Sequence, residues 1–265
     1  MSAAEDYLRI IREDLHAEAA PARNEPVIEL EDVHLSFEVP VLCGVTLEAR
    51  QGETLMIAGE SGSGKSTILK LILRLLVPDS GRVIVLGHNV PELRFQEALE
   101  LRKHIGMVFQ TAALFDSLNI FENVAYPLRE NTDADEQEIE RTVRQKLEFV
   151  DLDPDRVMTQ LPSQLSGGMR KRVGIARAIA TDAKVILYDE PTAGLDPLTI
   201  GRIDELIRKL QRELHVTSVV VTHDIRAGFR VANRVNLLRN GVIVFEGTPE
   251  EMIASSDRYI RSFLA

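Results

Sequence analysis

Eight consecutive residues, Gly59-Glu60-Ser61-Gly62-Ser63-Gly64-Lys65-Ser66, restrict what this chain can fold into more than anything else in it. They match G-x-x-x-x-G-K-[ST], and their setting strengthens the match. The apolar run Thr54–Ala58 precedes them, and helical spacing follows over 64–77 until the turn Pro78-Asp79-Ser80-Gly81. A buried strand that passes through such a loop into a helix is built to hold phosphate. Glycines let backbone N–H groups approach phosphate oxygens with no Cβ in the way. The helix presents its positive end to the same anion. Lys65 can reach the β and γ phosphates of a nucleotide, and the Ser66 hydroxyl can ligate Mg²⁺. These eight residues and the adjoining Thr67 are the candidate nucleotide-binding set.

Strands and helices alternate around this loop. Segments 27–37, 45–49, 82–86, 105–109, 185–189, 218–222, 235–238 and 242–245 read as strands. Helical periodicity and charge dominate from about 114 to 160, with 133–149 the clearest helix. The pattern predicts an α/β domain with a largely parallel sheet and an inserted helical lobe. Residues 1–25 form an acidic, alanine-rich extension in which Tyr7, Leu8, Ile10, Ile11 and Leu15 could share one face of a short helix; the alternative is a frayed tail. Residues 256–265 read as a C-terminal tail.

A length of 265 residues suits one domain carrying an inserted lobe and suffices for a core without disulfides or metals. The net charge of −10 disfavours nucleic acid as a partner. The single cysteine, Cys43, cannot form an intramolecular disulfide, fits a reducing compartment and is expected to be a buried apolar thiol. No basic stretch leads into an apolar core at the N-terminus, and no run reaches the roughly 18 apolar residues of a membrane span. Any membrane role is expected to come through a partner.

The run Val185–Asp189 is an apolar strand whose last residue is followed by a second acid, Glu190. At the C-terminal end of a parallel strand both carboxylates project into the crevice where ligands bind. Asp189 can then hold the Mg²⁺ hydration shell, and Glu190 can orient the attacking water or accept its proton. Further on, Leu165-Ser166-Gly167-Gly168-Met169 is followed by Arg170, Lys171 and Arg172. Ser166 can cap the next helix while the glycines leave its N–H groups open, which makes a second anion site.

Together these motifs resemble the ABC-transporter ATPase family, whose LSGGQ signature is nearly reproduced. The likeness runs from about residue 27 to about 250. It implies a P-loop NTPase (RecA-like) α/β core, an N-terminal antiparallel β-subdomain and an inserted helical subdomain at about 111–168, with the ATP-binding domain spanning 26–255. It implies ATP and Mg²⁺ as cofactors and a homodimer of ATPase subunits. It also suggests roles for single residues. Gln110 resembles the Q-loop glutamine that touches Mg²⁺ and the attacking water. Gly194-Leu195-Asp196 resembles the D-loop, and His223 the switch histidine at the γ-phosphate. Phe37 lies where the family places an aromatic on adenine, although it could equally be a core residue. Met169 departs from the usual glutamine but leaves Ser166, Gly167 and Gly168 in place.

The stretch from Phe109-Gln110-Thr111 through Tyr126-Pro127-Leu128-Arg129-Glu130, and the methionine of LSGGM, are similar to one subgroup: ATPases of the Mla (maintenance of lipid asymmetry) transporters and their relatives that work with MCE proteins. That resemblance implies phospholipid movement between inner and outer membranes. It implies an integral permease, an MCE-domain lipid-binding protein and, in some systems, a small STAS-domain protein, with the chain at the cytoplasmic face of the inner membrane. The alternatives are an importer ATPase for a small solute such as an amino acid and a non-transport ABC ATPase. The latter usually carries a long coiled coil or two ATPase modules, and neither is visible here. A binding module using ATP only as structural glue would lack Glu190 or His223, and both are present.

Overall fold

A computed structural model of the chain describes Tyr7 and residues 25–265. Two sheets form its frame. In the smaller, β1 (Pro26–Ser36), β2 (Pro40–Arg50), β4 (Ser80–Val85) and β5 (His88–Asn89) run antiparallel in the order β2-β1-β4-β5. The larger holds β3 (Thr54–Ala58), β6 (Ile105–Val108), β7 (Val185–Asp189), β8 (Thr217–Thr222), β9 (Arg234–Arg239) and β10 (Val242–Gly247), ordered β10-β9-β3-β8-β7-β6. The strands from β9 to β6 are parallel, and β10 adds an antiparallel edge. Every residue of β3 and β8 is buried, as expected of parallel strands covered on both faces.

The smaller sheet buries one face, so its strands alternate. Ile28 and Leu30 on β1, and Leu42, Val45 and Leu47 on β2, point inward. Cys43 follows the inward Leu42 and therefore faces out; the thiol is exposed, which corrects the expectation of a buried one.

The helices are α1 (Lys65–Ile72), α2 (Phe95–Arg102), α3 (Ile120–Asn131), α4 (Glu136–Phe149), α5 (Pro154–Val157), α6 (Gly167–Ala178), α7 (Pro197–Leu214), α8 (Ile225–Val231), α9 (Pro249–Ala254) and α10 (Arg258–Leu264). Among the described residues, none is long and apolar enough to cross a membrane. Helix α1 stops short of the predicted 64–77 because Arg74 turns into the left-handed region at φ 50°. Helices α2, α7, α8 and α9 are not among the sequence expectations. Residues 256–265, read as a tail, hold α10, whose Ile260 and Leu264 are buried. Whether the N-terminal extension is a helix or a frayed tail lies outside the described residues, apart from Tyr7. Its ring is buried edge-on against Phe229 of α8, with centroids 5.4 Å apart.

Apolar side chains gather in three clusters. One joins α3, α4, α6 and α7 to the β7 and β8 side of the large sheet. The second fills the space between the two sheets and α1. The third sits under α8, α9 and α10. Packed on both faces, the central strands hold their C-terminal ends as a fixed rim.

Candidate nucleotide-binding and hydrolytic site

Strand register assembles this rim. Ala58 of β3 pairs with Thr222 of β8, and Asp189 of β7 with Val221, so three loops leave the sheet side by side. They border a cleft of about 450 Å³. Ser61, Gly62, Gly64, Lys65, Ser66 and Thr67 line it from the loop after β3, Asp189 and Glu190 from the end of β7, and His223 from the end of β8. Gln110 and Phe37 complete it, the latter 62% exposed at the rim. Residues separated by more than a hundred positions in sequence thus share one concavity.

Helix α1 begins differently from most helices in the fold. Asn119, Asp135, Ser166, Asp196, Asp224 and Thr248 each cap a helix with a side chain, whereas Gly64 caps α1 with none, at φ 106°. The first-turn N–H groups of α1 are therefore free for an anion. A Cβ at Gly64 would come within 2.9 Å of Leu42 Cδ2, so only glycine fits this turn. Lys65 is buried, and its ammonium donates to the carbonyls of Gly59 at 2.8 Å and Glu60 at 2.9 Å. Burial lowers its pKa, against the opposing pull of Glu190 and Asp189.

Ser66 Oγ donates to Asp189 Oδ1 at 3.0 Å. Two hard oxygen donors so placed suit Mg²⁺, which takes few protein ligands and shares the rest with phosphates and water.

Glu190 stands in the left-handed region at φ 48°. A non-glycine residue there costs about 1 kcal/mol and needs fixing by its surroundings. Its N–H donates to Val221 O at 2.9 Å. Its carboxylate accepts from Thr222 Oγ1 at 2.9 Å and from the His223 N–H at 3.1 Å, and it lies 2.8 Å from His223 Nδ1. The imidazole is largely exposed to the cleft and the carboxylate mostly covered.

Ser166, Gly167 and Gly168 do not line this cleft. They open α6, where Ser166 is exposed and accepts from the Met169 N–H at 3.3 Å. A Cβ on Gly168 would meet Thr199 Cγ2 at 2.4 Å, so this end of α6 is pressed onto α7.

The same helix carries two residues the sequence reading did not single out. Buried Lys171 donates to the Gln110 carbonyl and, at 3.4 Å, to the Glu190 carbonyl. Burial brings its pKa down to about 8. Arg177 donates to the carbonyls of Ala112 and Ala113, both at 2.9 Å; these two alanines hold left-handed φ angles of 64° and 46°. Their partners are backbone carbonyls, which only the fold shows.

The chain is similar to known ATP-binding cassettes. The family model described as ABC transporter matches residues 42–193. The intermembrane phospholipid transport system ATP-binding protein MlaF of Haemophilus influenzae is 40% identical over 220 residues, 83% of each chain. MlaF of Escherichia coli K12 is also 40% identical, over 83% of this chain and 81% of its own. A probable ribonucleotide transport ATP-binding protein of Mycobacterium leprae is 38% identical over the same share of this chain and 63% of its own. Among solved structures, the dimeric post-hydrolysis cassette MJ0796 bound to ADP and Pi superposes with a TM-score of 0.77 at 34% identity, covering 84% of this chain and 98% of that one.

Proposed function

Because the chain belongs to the ABC transporter family, of which it is an ATP-hydrolysing subunit, we propose that it powers phospholipid movement between two membranes. The observation that carries the hydrolytic part is the convergence of Lys65, Ser66, Asp189, Glu190, Gln110 and His223 on one cleft. The lipid part rests on 40% identity over 83% of the chain to proteins named for intermembrane phospholipid transport. The mycobacterial relatives named for ribonucleotide transport support the second reading, an importer of a small solute.

Each side chain has one task in this reading. The uncapped start of α1 and the Lys65 ammonium grip the β and γ phosphates. Ser66, Asp189 and Gln110 would hold Mg²⁺, whose charge would offset that of the phosphate oxygens. Glu190 orients water for in-line attack, and His223 fixes that carboxylate and faces the γ-phosphate. Phe37 at the rim offers a ring to adenine. Within 26–255, the lobe at about 111–168 is a helical subdomain inserted into the ATP-binding domain.

The partners follow from the same reading: a second copy of the chain, an integral permease, an MCE-domain protein and, in some systems, a small STAS-domain protein, with the chain held at the inner face of the membrane through the permease. A groove of about 310 Å³ supports permease docking. Of the apolar residues after Gln110, Phe115 and Tyr126 line it with their rings 5.0 Å apart, while Leu114 and Phe121 pack against the lobe core. Fully buried Asn123 fixes this segment by accepting from Phe115 N–H at 2.8 Å and donating to the Phe115 and Leu118 carbonyls. Cysteines at Asp116 or Ser117, in a Cys43→Ser background because Cys43 is exposed, should cross-link to the permease in the assembled complex. No cross-link at either position removes the docking assignment. For the lipid, the complex purified from membranes and reconstituted in vesicles should move a fluorescent phospholipid only with ATP. Stimulation by a solute-binding protein without lipid movement would favour the importer.

A further inference from the structure

The C-terminal helix reaches the phosphate loop through side chains that the hydrolytic reading leaves unused. Glu60 is the one acid in residues 59–66. Ser61 and Gly62 line both the nucleotide cleft and a second cleft of about 460 Å³ behind the loop, whereas Glu60 lines only the second. There Tyr259 of α10 donates its hydroxyl to Glu60 Oε1 at 3.3 Å. The ring is fixed on two sides: the Arg239 guanidinium carbon lies 3.7 Å from its centroid, and Phe263 stacks at 6.1 Å and 29°. Buried Ile260 and Leu264, and Asp257 capping the helix, anchor α10 beneath it. Burial, and after it the Glu60 carboxylate, push the Tyr259 hydroxyl up, so it remains a donor at neutral pH.

We propose that Tyr259 is a positioning residue for nucleotide binding, holding the Glu60 carboxylate in the second cleft and away from the phosphates. The proposal rests on residues 59–66 being the phosphate loop. An acid in a loop that receives a triphosphate works against binding unless its charge is directed elsewhere, since like charges a few ångströms apart repel even near a surface. Gly62, at φ 81°, lies two residues away and leaves the loop too pliant to fix that direction alone. The Glu60 carbonyl also accepts from Lys65, so a shift of Glu60 disturbs the ammonium that meets the anion. Docking of the C-terminal helix thereby sets the affinity of the loop for ATP.

The test is titration calorimetry of ATP into the full chain, at low and high salt. Tyr259→Phe keeps the ring on Arg239 and Phe263 and removes only the hydroxyl, and thermal melting checks that the fold is intact. The ATP Kd should rise about threefold to tenfold, and the defect should shrink at high salt as the repulsion is screened. Adding Glu60→Gln to Tyr259→Phe should return the affinity to the wild-type value. A wild-type Kd in Tyr259→Phe overturns the proposal, and so does a defect that Glu60→Gln fails to relieve. Lys65→Ala is measured beside them. If it binds ATP normally, the phosphate-loop reading itself fails; if it loses ATP while Tyr259→Phe does not, only the role of Tyr259 fails.

Discussion

Glu190 combines a left-handed backbone with a carboxylate held by Thr222 and His223, and this makes its chemistry separable from its fold. Glutamine in its place keeps the shape and an oxygen to accept the His223 N–H, but it cannot take a proton from water. Glu190→Gln should therefore retain ATP binding and lower turnover in the assembled transporter by at least about a hundredfold. Wild-type hydrolysis in that variant would remove Glu190 from the role. This residue could be found in sequence because the acid directly follows an apolar strand already ending in Asp189. Lys171 could not, because its partners are the carbonyls of Gln110 and Glu190, and backbone acceptors leave no mark in a residue string. Cys43 was misread for a related reason. Thiols are usually buried, but here the alternation of β2 decides, and it needs the position of Leu42 to be read.

Among elements, the parallel strands were legible because burial on both faces writes continuous apolar runs, as at Thr54–Ala58 and Val185–Asp189. Helix α7 was overlooked although Asp196 and Pro197 announce its start and Ile203, Leu206, Ile207 and Leu210 form its buried stripe. Its attachment to α8 could not have been read at all. Asp204, 1% exposed on α7, meets Arg230 Nε of α8 at 2.5 Å. The pair ties the helix that follows Asp196 to the helix that follows His223. Asp204→Ala strands a guanidinium in a covered site and should cost about 3 kcal/mol in denaturant unfolding at neutral pH. A loss below about 0.5 kcal/mol would show that the pair holds nothing. The pH dependence has a definite sign. Burial lifts Asp204 from an ordinary 3.8 to about 6, against the pull of Arg230. Between those values the folded chain binds a proton that the unfolded chain has lost, so the Asp204 contribution to stability falls as pH rises from about 4 to about 6 and is level above. Asp204→Asn should lack that contribution, so the stability difference between variant and wild type should change over this range, and the same pH profile in both would assign the slope to other carboxylates.

At the scale of the whole molecule, the two helix starts that the sequence marks as suited to an anion do not share a cleft. One is the loop that opens α1; the other is the start of α6, where exposed Ser166 caps only the Met169 N–H and no acid occupies the first turn. A single chain cannot close both on one triphosphate. A two-fold pair could if each phosphate loop faced the partner's α6, and the solved relatives include dimeric cassettes. ATP would then join the two copies, and its hydrolysis would release them. Helix α6 would then carry the event inward: its first turn would meet the ATP, while Lys171 touches the carbonyls of Gln110 and Glu190 and Arg177 at its far end grips Ala112 and Ala113 beside the groove. The Glu190→Gln chain should consequently form a stable dimer with ATP by size-exclusion chromatography with light scattering. Adding Ser166→Arg should return it to monomer, since the bulky side chain fills the place of the partner's phosphate. Ser166→Ala separates this from the lost cap, which alone should cost about 1 kcal/mol and leave the fold intact. Should Glu190→Gln with Ser166→Arg still dimerise on ATP, the start of α6 lies outside the interface and the composite site is wrong for this chain.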